Sequence, residues 1–287
     1  MKIGISLDPY GKKHGRFGDD KFIKIKDGGF SAVDYSLSVT ETEMYSSSLA
    51  EVEKLTEAIK EATSKAGLVI SQIHGPWRYP PRDNTVEDRC ERMEKMKKCL
   101  LITKLLGCRY MAVHPIMPYD TNDLVTGMAE ETWRLNVEFM RELTAYAEEL
   151  GVTVCLENMP MLNFSLAKPE MILALVKEIN SEHFKICLDT GHVAIFPNLK
   201  VGDEVRRLGD CIKILHVHDN LGDKDAHLFP TEGRIDWDDF SSALYEIGFS
   251  GVLSLECPPA ASLDDEEFLK KSRELFDIAK NIAPKNI

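Results

Sequence analysis

No run of about 18 uninterrupted apolar residues occurs in the 287-residue chain, so the sequence offers no helix suited to crossing a membrane. The opening "MKIGISLDPY" has neither a long apolar stretch nor a small-residue cleavage site, and the cytoplasm is the expected compartment. Paired-cysteine spacing is missing too. The seven cysteines are odd in number, scattered and without a CxxC, which excludes a compact zinc knuckle and leaves reduced thiols acting as small apolar side chains. Positive charge is scarce. With 35 Lys and Arg against 47 Asp and Glu the net charge is -12, which argues against a general nucleic-acid-binding surface. No GxGxxG follows the first strand candidate, which disfavours an open dinucleotide-binding sheet, and there is no P-loop.

What is present is a regular alternation. Amphipathic, charge-rich segments stop near glycine and short apolar runs follow, as in "SKAGLVISQIH", "KLLGCRYMAVH", "EELGVTVCLE" and "EIGFSGVLSLE". Glycine just past a helix supplies the left-handed conformation that other residues adopt only at a cost; Gly67, Gly107, Gly151 and Gly248 fit that role, with Gly209 a looser fifth. Strands are then expected at about Lys2 to Leu7, Ala32 to Leu37, Leu68 to His74, Arg109 to His114, Val152 to Glu157, Phe184 to Asp189, Ile212 to His218 and Val252 to Glu256. Helices are expected at Ser48 to Ala66, Val86 to Leu106, Ala129 to Leu150, Pro169 to Ile179, Trp237 to Ile247 and Asp264 to Ile282. The stretch "GKKHGRFGDDKF" reads as an irregular loop with a short helix. Strands alternating with helices in this way point to an α/β fold, a single (β/α)8 TIM barrel occupying residues 1–287 as one domain.

The strand ends carry the chemistry. "KILHVHDN", Lys213 to Asn220, interleaves aliphatic residues with His216, His218 and Asp219, and burying groups that titrate is costly unless something coordinates or pairs with them. Elsewhere "SQIH" ends at His74, "MAVH" at His114, "VCLE" at Glu157, "ICLD" at Asp189 and "LSLE" at Glu256. In a barrel all these C-terminal ends meet around one mouth, where active sites are built. One such histidine is most simply a hydrogen-bonded structural residue; the recurrence calls for a common cause. Of eight histidines only His14 and His183 lie away from these ends or the loops that follow them. Cys155 and Cys187 stand two residues before a carboxylate, deeper on the same side of the strand, and Cys257 has the opposite parity to Glu256; packing is the expected role of all three. Two Glu, one Asp and one His make a mixed oxygen and nitrogen set suited to one divalent metal ion, Mn2+, Zn2+, Co2+ or Mg2+.

In order and across essentially the whole chain, "CLEN", "CLDTGH", "LHVHDN", "DAHLFPTEGRIDW" and "LSLE" resemble the xylose isomerase-like TIM-barrel superfamily, in particular its sugar phosphate isomerase/epimerase group. The resemblance implies one metal held by Glu157, Asp189, His216 and Glu256. It implies an isomerase or epimerase of a small sugar, sugar phosphate or polyol, working by proton abstraction next to a carbonyl through a metal-stabilised enediolate, with Glu157 and Glu256 as the bases. His192 would bind a substrate oxygen, and His74, His114, Asp225 and His227 would complete the polar wall. The superfamily also contains endonuclease IV-like enzymes of abasic DNA with up to three Zn2+, whose pattern is matched by His74, His114 and Glu157; by Glu157, Asp189, His216 and Glu256; and by His192, Asp225 and His227. The acidic balance and the lack of an obvious basic, DNA-probing loop weigh against that alternative, and nucleic acid is not the expected partner. A keto-polyol dehydratase and a non-catalytic barrel that keeps its metal are further alternatives. In "HGPWRYPPRD", Trp77 could pack on the C–H face of a sugar while Arg78 or Arg82 holds an anion, although a loop covering the rim explains the same residues. No Gly-rich phosphate cradle is evident, so the resemblance leaves phosphorylation of the substrate open. Asp236 is expected to cap the following helix, with Gly233 and Arg234 near substrate, and His218 and Asp219 line or brace the strand exit. A homo-oligomer paired through its helices is an expectation by analogy.

Overall fold

The computed structural model describes residues 1–7, 19–40, 42–77, 80–259 and 263–284. Strands β1 (Lys2–Ser6), β2 (Ala32–Ser36), β3 (Val69–His74), β4 (Tyr110–Val113), β5 (Thr153–Glu157), β6 (Phe184–Asp189), β7 (Ile212–His216) and β8 (Val252–Leu255) form one parallel sheet in the order β7-β6-β5-β4-β3-β2-β1-β8. The edges meet just past β7. Val217 donates its N–H to the Ser254 carbonyl at 2.8 Å and accepts from the Glu256 N–H at 3.0 Å, so the sheet closes into a single (β/α)8 barrel. Around it run α1 (Asp19–Asp27), α2 (Leu49–Lys65), α3 (Val86–Leu105), α4 (Ala129–Leu150), α5 (Pro169–Ile179), α6 (Val201–Leu208), α7 (Trp237–Glu246) and α8 (Asp265–Ile282).

Local chemistry explains where these elements begin and end. Ser48 and Thr85 each accept a hydrogen bond from a backbone N–H three residues on, while Glu51 and Asp88 return one, giving α2 and α3 reciprocal N-terminal caps. Asp236 caps α7 by accepting from the Asp239 N–H, as the sequence implied. Gly67, Gly107, Gly151 and Gly248 have φ of 69°, 72°, 70° and 65°, the left-handed stops read from the sequence, whereas α5 stops on Asn180 at φ 52°. Helix α6 has no counterpart among the expected helices. Neither do the short helices Glu43–Ser46, Asp123–Thr126 and Thr190–Ala194, nor the short strand Pro118–Thr121, which lies outside the barrel sheet. Most of "GKKHGRFGDDKF", with His14, lies outside the described residues, as do Arg78 and Tyr79; the described end of that stretch starts α1.

One layer of the barrel interior is divided. On β4 to β7, Ala112, Cys155, Cys187 and Ile214 form a small buried apolar cluster, which gives the two cysteines their packing role. On the other side the buried residues are Ser6, Asp34, Gln72 and Ser254, from β1, β2, β3 and β8. The mouth stands directly above this layer.

Candidate metal and active site

Each C-terminal strand end delivers its side chain by alternation. Cys155 and Glu157, Cys187 and Asp189, and Ile214 and His216 are two apart and share a side of their strands, so an apolar residue fills the barrel and a polar one crowns it. His74 and His114 arrive in the same way from β3 and the end of β4, and Glu256 follows β8 directly. Glu157, Asp189 and His216 are at most 1% exposed. One potential ligand atom from each of Glu157, Asp189, His216 and Glu256 lies within 4.8 Å of all the others. The four residues expected to share an ion therefore converge.

Glu157 sits at the centre. Its Oε1 lies 2.9 Å from His216 Nδ1, while its Oε2, fully buried, has no aligned hydrogen-bond donor among the described residues although His114 Nε2 stands 3.2 Å away and His74 Nε2 3.7 Å away. A buried carboxylate oxygen without a donor is costly, and facing imidazole nitrogens and further carboxylates it has the donor set of a divalent cation. The residues fit an ion. Second partners fix the ligands: Asn158 receives the Asp189 N–H on its side-chain oxygen at 2.9 Å and donates its amide to the Asp189 carbonyl at 3.0 Å, locking the ends of β5 and β6 together. His74, His192 and His227 donate Nδ1–H to the carbonyls of Gly75, Asn158 and Glu256 at 2.8, 2.7 and 2.7 Å. That tie turns each Nε2 toward a carboxylate, the arrangement seen where imidazoles coordinate metals.

Charges in the cluster are coupled. Burial pushes the Glu157 carboxyl up, but the His216 and His114 imidazoles outweigh it and hold the group well below the usual carboxylate range. Glu256 goes the other way, because burial raises it more than His216 and His227 lower it. His114, desolvated, is lowered to about 4, while His192 is raised to about 10 because Asp189 and Asp225 outweigh its burial. Around this cluster opens a cavity of about 490 Å3 lined by His74, Trp77, His114, Glu157, His192, Asp225, His227 and Glu256 on its polar side. Met159, Pro160, Met161, Leu162 and Ile195 line the apolar side, together with Ser38, Asp223 and Lys224 at the rim. His74, Trp77, His114, His192, Asp225 and His227, expected to touch substrate, thus reach the cavity, and of the four convergent residues only the two glutamates do.

The remaining histidines form a second group. Asp225 Oδ2 lies 3.2 Å from the Nε2 atoms of both His192 and His227, and ligand atoms of His218, Asp225 and His227 fall within 4.8 Å of one another. His218 is wholly buried and reaches Asp189 Oδ2 at 3.1 Å. Asp219 is a brace: its carboxylate accepts from the N–H groups of Asn220, Thr231 and Ile235 and from Trp237 Nε1, so it shapes the loop after β7. Gly233 packs against Asp219 and Arg234 against Gly222, which places both in this brace and outside the cavity lining. Arg82 likewise does not line the cavity and is 67% exposed at its side chain. Two residues escaped the sequence reading: Asn158, visible only as the last letter of "CLEN", and Asp34, a lone carboxylate in the apolar "AVDYS".

A parallel barrel with carboxylates and imidazoles gathered at its C-terminal mouth has the layout of a barrel enzyme. The chain belongs to the xylose isomerase-like TIM barrel family, whose model matches residues 22–277. Among curated relatives it is 33% identical over 176 residues to the uncharacterized protein MJ1311 of Methanocaldococcus jannaschii, a match covering 60% of this chain and 59% of that protein's length. It is 27% identical over 267 residues to a D-psicose 3-epimerase of Enterocloster bolteae, covering 89% of this chain and 82% of the epimerase. The crystal structure of an IOLI protein with a zinc atom bound superposes with a TM-score of 0.75 at 20% identity, covering 98% of this chain and 99% of that one; this likeness concerns the fold.

Proposed function

We propose that the protein is a divalent-metal-dependent isomerase or epimerase of a small sugar, sugar phosphate or polyol. The observation that carries the reading is the division of labour among four convergent residues: Asp189 and His216 are sealed in the barrel, while Glu157 and Glu256 also face the cavity. Glu157, Asp189, His216 and Glu256 would hold the ion. Once bound, a divalent cation supplies Lewis acidity to the carbonyl and neighbouring hydroxyl oxygens of a substrate. The chain's own groups then move the proton. Glu157, held as a carboxylate, is the base that removes the hydrogen next to the carbonyl, leaving an enediolate. Glu256, which faces the same cavity, is the group that returns a proton from the other side, which inverts the carbon. Return by Glu157 to the adjacent carbon gives aldose–ketose isomerisation instead. His192 and His114 orient substrate oxygens, and Trp77, packed on the His114 ring with centroids 4.4 Å apart, walls the cavity.

The test follows from these roles. Glu256→Gln removes the acid, and the loss expected for a general acid or base is about 10^2- to 10^4-fold in kcat. In deuterium oxide, wild-type enzyme should wash deuterium into the carbon beside the ketose carbonyl, and the variant should still lose the substrate proton through Glu157 faster than it forms product. Equal rates of exchange and product formation in wild type and variant would refute the assignment. The His218, Asp225 and His227 group favours one second reading, the trinuclear zinc phosphodiesterase; cleavage of abasic duplex DNA by protein carrying three zinc ions per chain would select it.

A further inference from the structure

Asp34, on β2, takes no part in the chemistry above, yet it is 1% exposed at the barrel's centre. Its Oδ2 accepts from His216 Nε2 at 3.0 Å and from Gln72 Nε2 at 2.8 Å. The Gln72 amide also donates to the Leu215 carbonyl at 3.2 Å, so one side chain clamps both the carboxylate and the strand that carries His216. On the other edge of the imidazole, Nδ1 faces Glu157 Oε1 at 2.9 Å and Glu256 Oε2 at 3.5 Å. An ionised carboxylate can only accept, so Asp34 keeps a hydrogen on Nε2 and leaves Nδ1 as the nitrogen whose lone pair can face an ion. The pair lies 182 residues apart in sequence and is brought together by barrel closure alone. A cross-strand contact between β2 and β3 would not require an acid here: Asp34 Oδ1 has no hydrogen bond among the described residues, which makes the charge a poor choice for stability.

We infer that Asp34 is the positioning residue of the metal centre, fixing the tautomer and ring angle of His216 through Nε2 so that Nδ1 is the ligand atom, with Gln72 as the strut. The inference rests on the proposed ion among Glu157, Asp189, His216 and Glu256. Partners of this kind change metal affinity by about 10- to 100-fold when removed. Four measurements test it on the whole chain. Cobalt affinity, read by competition with a chelator, should weaken by about 10- to 100-fold in Asp34→Asn, and less in Gln72→Leu, with altered visible absorption of the bound Co2+ and melting of the metal-free protein little changed. In zinc-loaded wild type, nitrogen NMR of the imidazole should show His216 with hydrogen on Nε2. Asp34→Asn binding Co2+ with wild-type affinity and spectrum, or hydrogen on Nδ1 of zinc-loaded His216, overturns the inference even if the ion is present. A wild type that binds no divalent cation, or a His216→Asn variant that binds it unchanged, overturns the underlying metal reading as well. Should Asp34→Asn fail to fold, the tautomer measurement on wild type still decides.

Discussion

Gly191 is the position where a single methyl group should do most damage. It lies in the short helix Thr190–Ala194, and a Cβ built there would stand 1.9 Å from His218 Cε1, 2.3 Å from Nδ1 and 2.7 Å from Nε2. Ordinary contact begins at 3.4 Å, so the ring must retreat by 1.5 Å from its nearest atom. It has nowhere easy to go, since His227 stacks on it at 4.0 Å and its backbone is held by Thr190 on both sides. Forcing a methyl into a packed interior costs about 1–3 kcal/mol, and losing the His218 bond to Asp189 adds about 1.5–3 kcal/mol. Gly191→Ala should therefore lose about 3 kcal/mol or more, a drop in Tm of about 6 °C at roughly 2 °C per kcal/mol. Calorimetry of the metal-free protein measures it. The companion Gly191→Ala/His218→Ala removes the obstructing ring and should recover part of the loss relative to Gly191→Ala alone. A single variant as stable as wild type, or a double variant less stable than the single, would refute the steric argument.

Acid should weaken the metal-free fold through His114. Because burial lowers this imidazole to about 4 in the folded state, its contribution is intact above about pH 6.5, where the unfolded chain is also neutral, and drains away as pH falls toward about 4. The loss is up to about 3 kcal/mol, read as the difference in urea unfolding free energy between pH 6.5 and 4.5. His192 and His227, raised to about 10, act in the opposite window: their stabilisation is complete below about pH 6.5 and is lost as pH rises through about 10. A His114→Asn variant with the same acid slope as wild type would show that another group is responsible. Asp219→Ala strands three backbone N–H groups and Trp237 Nε1, so it should cost about 3 kcal/mol, shift Trp237 fluorescence and open the loop after β7 to protease, with wild-type nicking rates counting against the brace.

Much of the barrel was legible because its punctuation is local. Gly67, Gly107, Gly151 and Gly248 stop helices by a conformational rule that any sequence displays, and the carboxylates and imidazoles stand out against the aliphatic runs they terminate. Helix α6 escaped because eight residues show barely two turns of periodicity, with Val201, Val205 and Leu208 as its buried apolar residues. Strand β7 ends at His216, two residues before the expected end at His218. Val217 still bridges to β8, and beyond it the Thr190 hydroxyl, in the short helix after β6, takes the His218 N–H at 3.1 Å and donates to the His218 carbonyl at 2.7 Å, so those groups are spent outside the sheet. Asp34 could not be assigned either, since a polar residue within "AVDYS" reads equally as the solvent side of a strand; its partner His216 becomes its neighbour only on closure. Likewise Asn180 ends α5 in a left-handed conformation without the glycine that marks the other stops.

The most direct trial of the account is the divalent-metal content per chain of purified protein after dialysis, for wild type and for Glu157→Gln, Asp189→Asn and His216→Asn. One ion retained by wild type and lost from each variant is the predicted result. Three zinc ions per chain, or an ion held equally well by all four proteins, would contradict it.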